Sequence, residues 1–304
     1  MPPVCESGLP EIPFHCGTLA IVGRPNVGKS TLLNCMVGMK ISITSKKPQT
    51  TRHRVTGILT TAQAQFIFVD TPGFQTRHGG ALNRAMNRSV SQALAEVDVV
   101  LCVLEAGRCS AEDRAIFRLL PAERPVLLLI NKIDQLADKN QLLPFINEVR
   151  AAFPFADILP LSARTGLGTE ELLAVAARHL PQQAAFYADD EVTDRSERFL
   201  AAELLREKLF RNLGDELPYG MAVEIERFEQ EGALRRIFAA IIVDKPQHKA
   251  IVIGKGGEKL KRMASEARGD MEKLFGGRVY LESWVKVKSG WADDERALKS
   301  LGHD

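Results

Sequence analysis

The chain has 304 residues, 45% hydrophobic and 26% charged, with 40 Lys and Arg against 38 Asp and Glu for a formal net charge of +2. Such a balance excludes a disordered tail or a polycation that binds nucleic acid by bulk charge, and the length fits two ordinary domains. The longest apolar run, residues 97–104, is too short to span a bilayer and contains Asp98. The five cysteines (5, 16, 35, 102, 109) are odd in number without a C-x-x-C pair, and read as free thiols in a reducing compartment, Cys35 and Cys102 in the core. The six histidines have no metal-ligand spacing, and residues 1–15 lack a secretory pattern.

In chain order, an apolar strand over residues 19–22 meets Gly23-Arg24-Pro25-Asn26-Val27-Gly28-Lys29-Ser30, then a helix from Thr31 to residue 37. Strand, G-x-x-x-x-G-K-S and helix are the context of a phosphate-binding loop. Its two glycines let successive N–H groups turn inward, and the helix N-terminus adds partial positive charge. Lys29 reaches the β- and γ-phosphates, and the Ser30 hydroxyl can ligate Mg²⁺. The polar stretch Lys46-Lys47-Pro48-Gln49-Thr50-Thr51-Arg52 reads as a mobile loop. A strand over residues 66–69 then runs into Asp70-Thr71-Pro72-Gly73, a D-x-x-G motif.

The continuous apolar run at residues 126–130 reads as a strand buried on both faces, and it ends in Asn131-Lys132-Ile133-Asp134. This N-K-x-D resembles the signature of the translation-factor-like GTPases. A carboxylate accepts two parallel hydrogen bonds from guanine's ring N–H and exocyclic amine, a donor pair that adenine lacks. The resemblance implies that Asn131 buttresses the base loop, that the Lys132 stem covers the base, and that Ser162-Ala163, after a strand at 158–161, offers the Ala163 N–H to the guanine carbonyl. It also implies that Asp70 holds Mg²⁺, that Gly73 touches the γ-phosphate, and that a threonine closes onto the metal. Thr51 is favoured for that role, with Thr50 the alternative. Lys29, Thr51, Asp70 and Gly73 are thus the expected catalytic residues, and Ser30, Thr51 and Asp70 the expected metal ligands. Ras-like enzymes place a water-orienting Gln just after the D-x-x-G glycine, where this chain has Phe74; Gln75 is one residue too late. Intrinsic turnover is therefore expected to be slow. In related GTPases an asparagine at the position of Asn26 helps to hold K⁺ near the phosphates.

Beyond a helix over 169–179, residues 181–194 read as a polar, acidic linker. A cap at Thr193 or Asp194 opens a periodic helix with Phe199, Leu200, Leu204, Leu205, Leu209 and Phe210 facing a core. Strands follow at 222–228 and 237–244, then Gly254-Lys255-Gly256-Gly257, a helix over 265–275 and a strand over 279–287. The element order and this G-x-x-G resemble a KH domain, whose loop clamps single-stranded backbone. From residue 185 onward there are 21 Lys and Arg against 23 Asp and Glu, a net −2, yet residues 245–262 hold six basic side chains against Glu258 alone. Gly254, Lys255, Gly256, Gly257, Lys259, Lys261 and Arg262 are the expected RNA contacts. Much of this region's other charge reads as solvated surface, and Trp284 and Trp291 as core and interface, with stacking on RNA the alternative.

Together these motifs, with K-I-S-I-T-S at 40–45, D-R-S-E-R-F at 194–199, E-L-P-Y at 216–219 and V-E-I-E-R-F at 223–228, resemble the Era family of GTPases with a carboxy-terminal KH domain. The resemblance implies an α/β P-loop domain with a mostly parallel sheet over 17–181, a linker over 182–194, and a smaller α+β KH domain over 195–304, with residues 1–16 an extension. It further implies a GTP/GDP switch, Mg²⁺-dependent and with K⁺ a candidate activator. Members bind the 3′ end of 16S rRNA and assist 30S subunit maturation in the cytoplasm, some with a peripheral inner-membrane fraction. A monomer is expected. Two other classes stay open: an RNA-binding module with a structural nucleotide, and a membrane-linked GTPase whose basic helix meets anionic lipid.

Overall fold

The computed structural model describes residues 13–45, 47, 50–73, 81–214 and 220–291. Phe74, Gln75, Pro48, Gln49 and the 216–219 motif lie outside the described residues. Strands β1 (His15–Val22), β2 (Val55–Thr60), β3 (Ala64–Asp70), β4 (Val99–Glu105), β5 (Val126–Asn131) and β6 (Asp157–Pro160) form one sheet in the order β2-β3-β1-β4-β5-β6. β2 runs antiparallel to β3 and every other pairing is parallel. Alternate residues of each strand feed opposite faces. Leu19 and Ile21 pack with α1 (Lys29–Val37) and α5 (Thr169–Ala177). Ala20 and Val22 pack with α2 (Ala81–Glu96), α3 (Ala111–Phe117) and α4 (Leu142–Arg150). Burial on both faces explains the unbroken apolar runs, and parallel order gathers the loops after β1, β3, β5 and β6 at one edge.

The second unit comprises α6 (Glu197–Asn212), β7 (Met221–Glu231), β8 (Leu234–Val243), α7 (Pro246–Ile253), α8 (Glu258–Phe275) and β9 (Arg278–Val287). Its sheet has β8 in the centre, antiparallel to β7 and parallel to β9, and a core from α6, α7, α8 and one sheet face. The helix over 265–275 continues one that begins at Glu258 directly after the G-x-x-G loop and runs unbroken, with Met263, Ala267 and Met271 at four-residue spacing on the core. Trp291 is buried and its indole N–H donates to the Gly220 carbonyl at 3.2 Å, whereas Trp284 is half-buried under the Lys286 ammonium. Cys102 is buried, but Cys35 is half-buried at the flank of α1.

Two local expectations change. The cap of α6 is Ser196, whose hydroxyl accepts from the Phe199 N–H at 3.3 Å. Thr193 instead donates to the Thr56 carbonyl at 2.6 Å, so it is spent on the first domain. The segment over 182–194 is a strap rather than a free linker. The Gln65 amide oxygen accepts from the Phe186 and Tyr187 N–H groups, Gln183 donates to the Cys16 carbonyl, and the Ile58 N–H donates to the Val192 carbonyl. β2 is an edge strand with outward N–H groups to satisfy, and the strap supplies an acceptor.

Candidate functional site

The phosphate loop leaves β1 at Gly23 and enters α1 at Lys29. A Cβ on Gly28 (φ +105°) would lie 2.4 Å from the Asn131 amide nitrogen, so this close approach requires glycine. Asn26 also has positive φ, at 66°. The Lys29 ammonium donates to the Gly23 and Arg24 carbonyls at 3.0 Å each, inside the curve of the loop. Burial pushes its pKa down to about 8, although Asp70 opposes that shift.

Around Asp70 three hydroxyls converge. Ser30 donates to its Oδ2 at 2.7 Å, Ser42 at 2.9 Å and Thr51 at 3.4 Å, and the Ser30 and Thr51 hydroxyls lie 2.9 Å apart. Asp70 Oδ1 is buried with no hydrogen-bond partner. A hard, all-oxygen set with one carboxylate oxygen left over suits a small divalent cation such as Mg²⁺. Burial raises the Asp70 pKa, against the opposing pull of the Lys29 ammonium and of the three hydroxyl donors. Thr50 turns away and donates to the Lys47 carbonyl at 2.7 Å, so of the two threonines Thr51 is the one beside Ser30 and Asp70. Thr71 ties β3 to the Ile21 carbonyl at 2.8 Å, Pro72 is buried, and Gly73 is pressed against Pro25.

Arg24 departs from the expected pattern. Its guanidinium points away from the loop's inner face to Glu105 and Asp113, so any nucleotide contact by Arg24 is through its backbone. Val27 is likewise buried in the core, while Pro25, Asn26, Gly28, Lys29, Ser30 and Thr31 line the cavity.

At the other end, Asn131 acts as a clamp. Its amide nitrogen donates to the Val27 carbonyl at 2.8 Å, and its oxygen accepts from the N–H groups of Lys132 and Ala163 at 2.8 and 2.9 Å. The Ala163 N–H, expected to meet the guanine carbonyl, is thus engaged by Asn131, because the loop after β6 folds back onto the end of β5. Asp134 Oδ1 accepts from the Ser162 hydroxyl at 2.7 Å, and Oδ2 pairs with Arg164 at 2.7 Å. A continuous cavity of about 510 Å³ links the phosphate loop to Lys132, Gln135 and Arg164. Arg164, Gln135 and Ser42 are absent from the sequence-derived set. Arg164 could have been found, since it directly follows Ser162-Ala163 and carries the charge opposite to Asp134.

The second unit grips this site. Glu203, Arg206, Glu207 and Lys208 of α6 are all buried, which corrects their reading as solvated charge. Glu207 accepts from the Thr44 N–H and hydroxyl at 3.3 Å each and lies 2.5 Å from the Lys40 ammonium. Lys40 and Lys208 both meet Asp270 on α8, at 2.8 and 2.5 Å. Arg52 donates to the Met221 carbonyl at 2.7 Å. Lys40, Thr44, Lys47, Thr50 and Arg52, which flank Ser42 and Thr51, are thus each held by α6 or its neighbours.

In the G-x-x-G segment, Gly254, Gly256 and Gly257 have φ of 73°, 60° and 80°, and Gly257 caps α8. A Cβ on Gly254 would lie 2.6 Å from that of Lys259, which packs beneath the loop. Lys255 is exposed at the loop, and Lys261 lines a cleft of about 320 Å³ between α8 and β9 with Gly257, Ala264, Arg268 and Ser283. Arg262 instead turns to Asn212 on α6, at 3.1 Å, and does not line the cleft. Arg268 was missed, though it continues the helical spacing of Gly257, Lys261 and Ala264.

A phosphate loop and a guanine-reading N-K-x-D on a mostly parallel sheet, followed by a KH module, define a guanine-nucleotide-hydrolysing P-loop protein with an appended KH domain. The family model described as 50S ribosome-binding GTPase matches residues 18–132, and the KH domain model matches residues 216–292. GTPase Era of Chromobacterium violaceum is 60% identical over 294 residues, covering 97% of this chain and 99% of its own. GTPase Era of Nitrosomonas eutropha is 59% identical over 291 residues, covering 96% and 98%. A variant of Aquifex aeolicus Era solved with GDP and AlF4⁻ superposes with a TM-score of 0.92 at 37% identity, over 95% of this chain and 99% of that one. An Era complex with MgGDPNP and nucleotides 1506–1542 of 16S ribosomal RNA gives 0.91 at 37% identity, with the same coverage. The chain belongs to the Era GTPase family, and it is a GTPase with a carboxy-terminal KH domain. Among the described residues no helix is long and apolar enough to cross a membrane.

Proposed function

We propose that this GTPase is a switch in small-subunit assembly: it binds the 3′ end of 16S rRNA through the KH domain and assists 30S maturation while it cycles between GTP and GDP. The observation that carries the reading is the shared loop. Arg206 and Glu207 of α6 hold Thr50 and Thr44, on either side of the segment that leads to Thr51, and Thr51 meets Ser30 and Asp70. A ligand that orders Thr51 therefore acts on the seat of the KH domain, and by linkage RNA acts back on nucleotide binding. The solved Era complex with a 16S rRNA fragment supports the RNA identity.

The domain limits in this reading are 17–181, a strap over 182–194 and 195–304, acting as a monomer in the cytoplasm, with a peripheral inner-membrane fraction through the exposed lysines near the G-x-x-G loop. Ser30, Thr51 and Asp70 would hold Mg²⁺, which supplies charge neutralisation at the β- and γ-phosphates when bound. Lys29 places its ammonium at the same phosphates, Gly73 offers its N–H to the γ-phosphate, and Asp134 reads the base with Asn131 and Lys132 as its frame. Asn26, which lines the cavity, would help to hold K⁺ beside the phosphates; equal turnover in K⁺ and Na⁺ buffers would overturn that part.

Single-turnover GTP hydrolysis, with and without an oligonucleotide copying the 3′ end of small-subunit rRNA, tests the whole. Stimulation by that RNA and not by a scrambled one is expected. Tight binding of both ligands with no change in rate would refute the switch.

A further inference from the structure

Glu105 ends β4 and faces Asn131 in the register with β5. Its side chain is 24% exposed and belongs to neither the phosphate loop nor the guanine loop, yet each carboxylate oxygen is engaged. Oε2 pairs with the Arg24 guanidinium, and Oε1 accepts from the Lys132 ammonium at 3.0 Å. Arg24 is nearly buried, and its Nε is held a second time by Asp113 at 3.2 Å. Asp113 is itself fixed as the third residue of the Ser110 capping box of α3. The Arg24 carbonyl is one of the two that receive the Lys29 ammonium, so the side chain of Arg24 anchors the peptide that shapes the phosphate cradle. Lys132 has a left-handed backbone, φ 67°, uncommon for a lysine and sustained here by Asn131 on one side and Glu105 on the other. Burial disfavours the Glu105 carboxylate, but hydrogen bonds from Lys132 and Arg24 outweigh it and hold the pKa below the ordinary range.

We infer that Glu105 is a positioning residue for the nucleotide: one carboxylate spans the phosphate loop and the guanine loop, so the two ends of the site hold the ligand as one body. The inference rests on the assignment of Lys132 to the base and of the 23–30 loop to the phosphates. A bridge of this kind has an energetic signature. Removing Arg24 or Lys132 alone already breaks it, so removing both costs less than the two losses multiplied.

The test is GDP affinity of the full chain with Mg²⁺ for wild type, Arg24→Met, Lys132→Met and the double variant, each with Glu105 or with Glu105→Gln, and thermal melting as a control for folding. With Glu105 present, the double variant is expected to bind about fivefold tighter than the product of the single losses predicts. With Glu105→Gln the losses should multiply. Glu105→Asp keeps the charge but is one methylene shorter, and it should behave as Gln does. Losses that multiply in both backgrounds, or coupling restored by Asp, would overturn the bridge. If Lys132→Met leaves GDP affinity unchanged, the base-platform assignment fails first and the bridge with it, an outcome distinct from loss without coupling.

Discussion

Arg206, in the first helix of the KH unit, donates to the carbonyl of Thr50, the residue just before the threonine that meets Ser30 and Asp70. The same guanidinium forms a two-pronged pair with Glu203, both bonds 2.6 Å, in a buried setting. Arg206→Gln leaves the Glu203 carboxylate buried and unpaired, which costs about 3–5 kcal/mol. The double variant Glu203→Gln/Arg206→Gln removes both charges and should regain much of that loss. Chemical denaturation measures both. If the single variant were as stable as wild type, the buried pair would not exist in solution.

Guanine selectivity should follow the Asp134 carboxylate. Asn at 134 presents one acceptor and one donor, complementary to xanthine rather than to guanine. Asp134→Asn should therefore weaken GDP by about 10²- to 10⁴-fold and strengthen xanthosine diphosphate, read by competition against a fluorescent nucleotide. Arg164 competes for the same carboxylate but is 69% exposed, so its pair is worth at most about 1 kcal/mol. Arg164→Ala should tighten GDP by about two- to fivefold at low ionic strength, with the gain gone near 1 M salt, where such pairs are screened. Weaker GDP binding by this variant would show that the arginine supports the base instead.

The interdomain carboxylates define a pH response. For Glu203 burial opposes ionisation, but Arg206 outweighs it and the pKa falls below the ordinary 4.5. For Asp270 burial likewise opposes, and Lys208 and Lys40 bring the pKa below 3.8. A carboxyl with a folded pKa below its unfolded one adds stability that is full above the unfolded value and is lost as pH falls through the folded one. Stability should accordingly be insensitive to these groups above about pH 5 and should fall from about pH 4.5 downward. The Glu203→Gln/Arg206→Gln variant should show a shallower acid slope in urea midpoints from pH 3.5 to 7; an identical slope would exclude Glu203 from the response.

The chemistry-bearing loops were legible because each is contiguous: phosphate cradle, D-x-x-G and N-K-x-D each place their donors and acceptors within eight residues. β2 went unread because Gly57 looks like a break in a strand, yet a Cβ there would lie 2.6 Å from the Leu33 side chain, so the glycine lets α1 close on the sheet. α3 carried a readable signal in Ser110 and Asp113, a capping box. The sequence of α6 reads as a helix with one apolar face and wet charges. Its partners Thr44 and Thr50 lie 163 and 156 positions away, and no local pattern encodes a charge that another domain will bury. The strap over 182–194 is hidden for the same reason, since its acceptors and donors match β1, β2 and β3 far back in the chain.

In the KH unit, the same helix turn presents two basic residues with different surroundings. Lys261 lines the cleft beside Gly257, whereas Arg262 reaches Asn212 and lies within 3.9 Å of Glu266. Phosphate neutralisation by one side chain on a single strand contributes about 0.7 to the slope of log affinity against log salt. Lys261→Ala should therefore lower that slope by about 0.7 and weaken binding evenly across related sequences, because a phosphate contact carries no base information. Arg262→Ala should leave the slope nearly unchanged and act instead through the contact with α6. Fluorescence anisotropy of a labelled oligonucleotide matching the 3′ end of small-subunit rRNA, titrated at several salt concentrations, separates the two. The reverse pattern would move the backbone path of the RNA from the α8–β9 cleft to the α6 side of the helix.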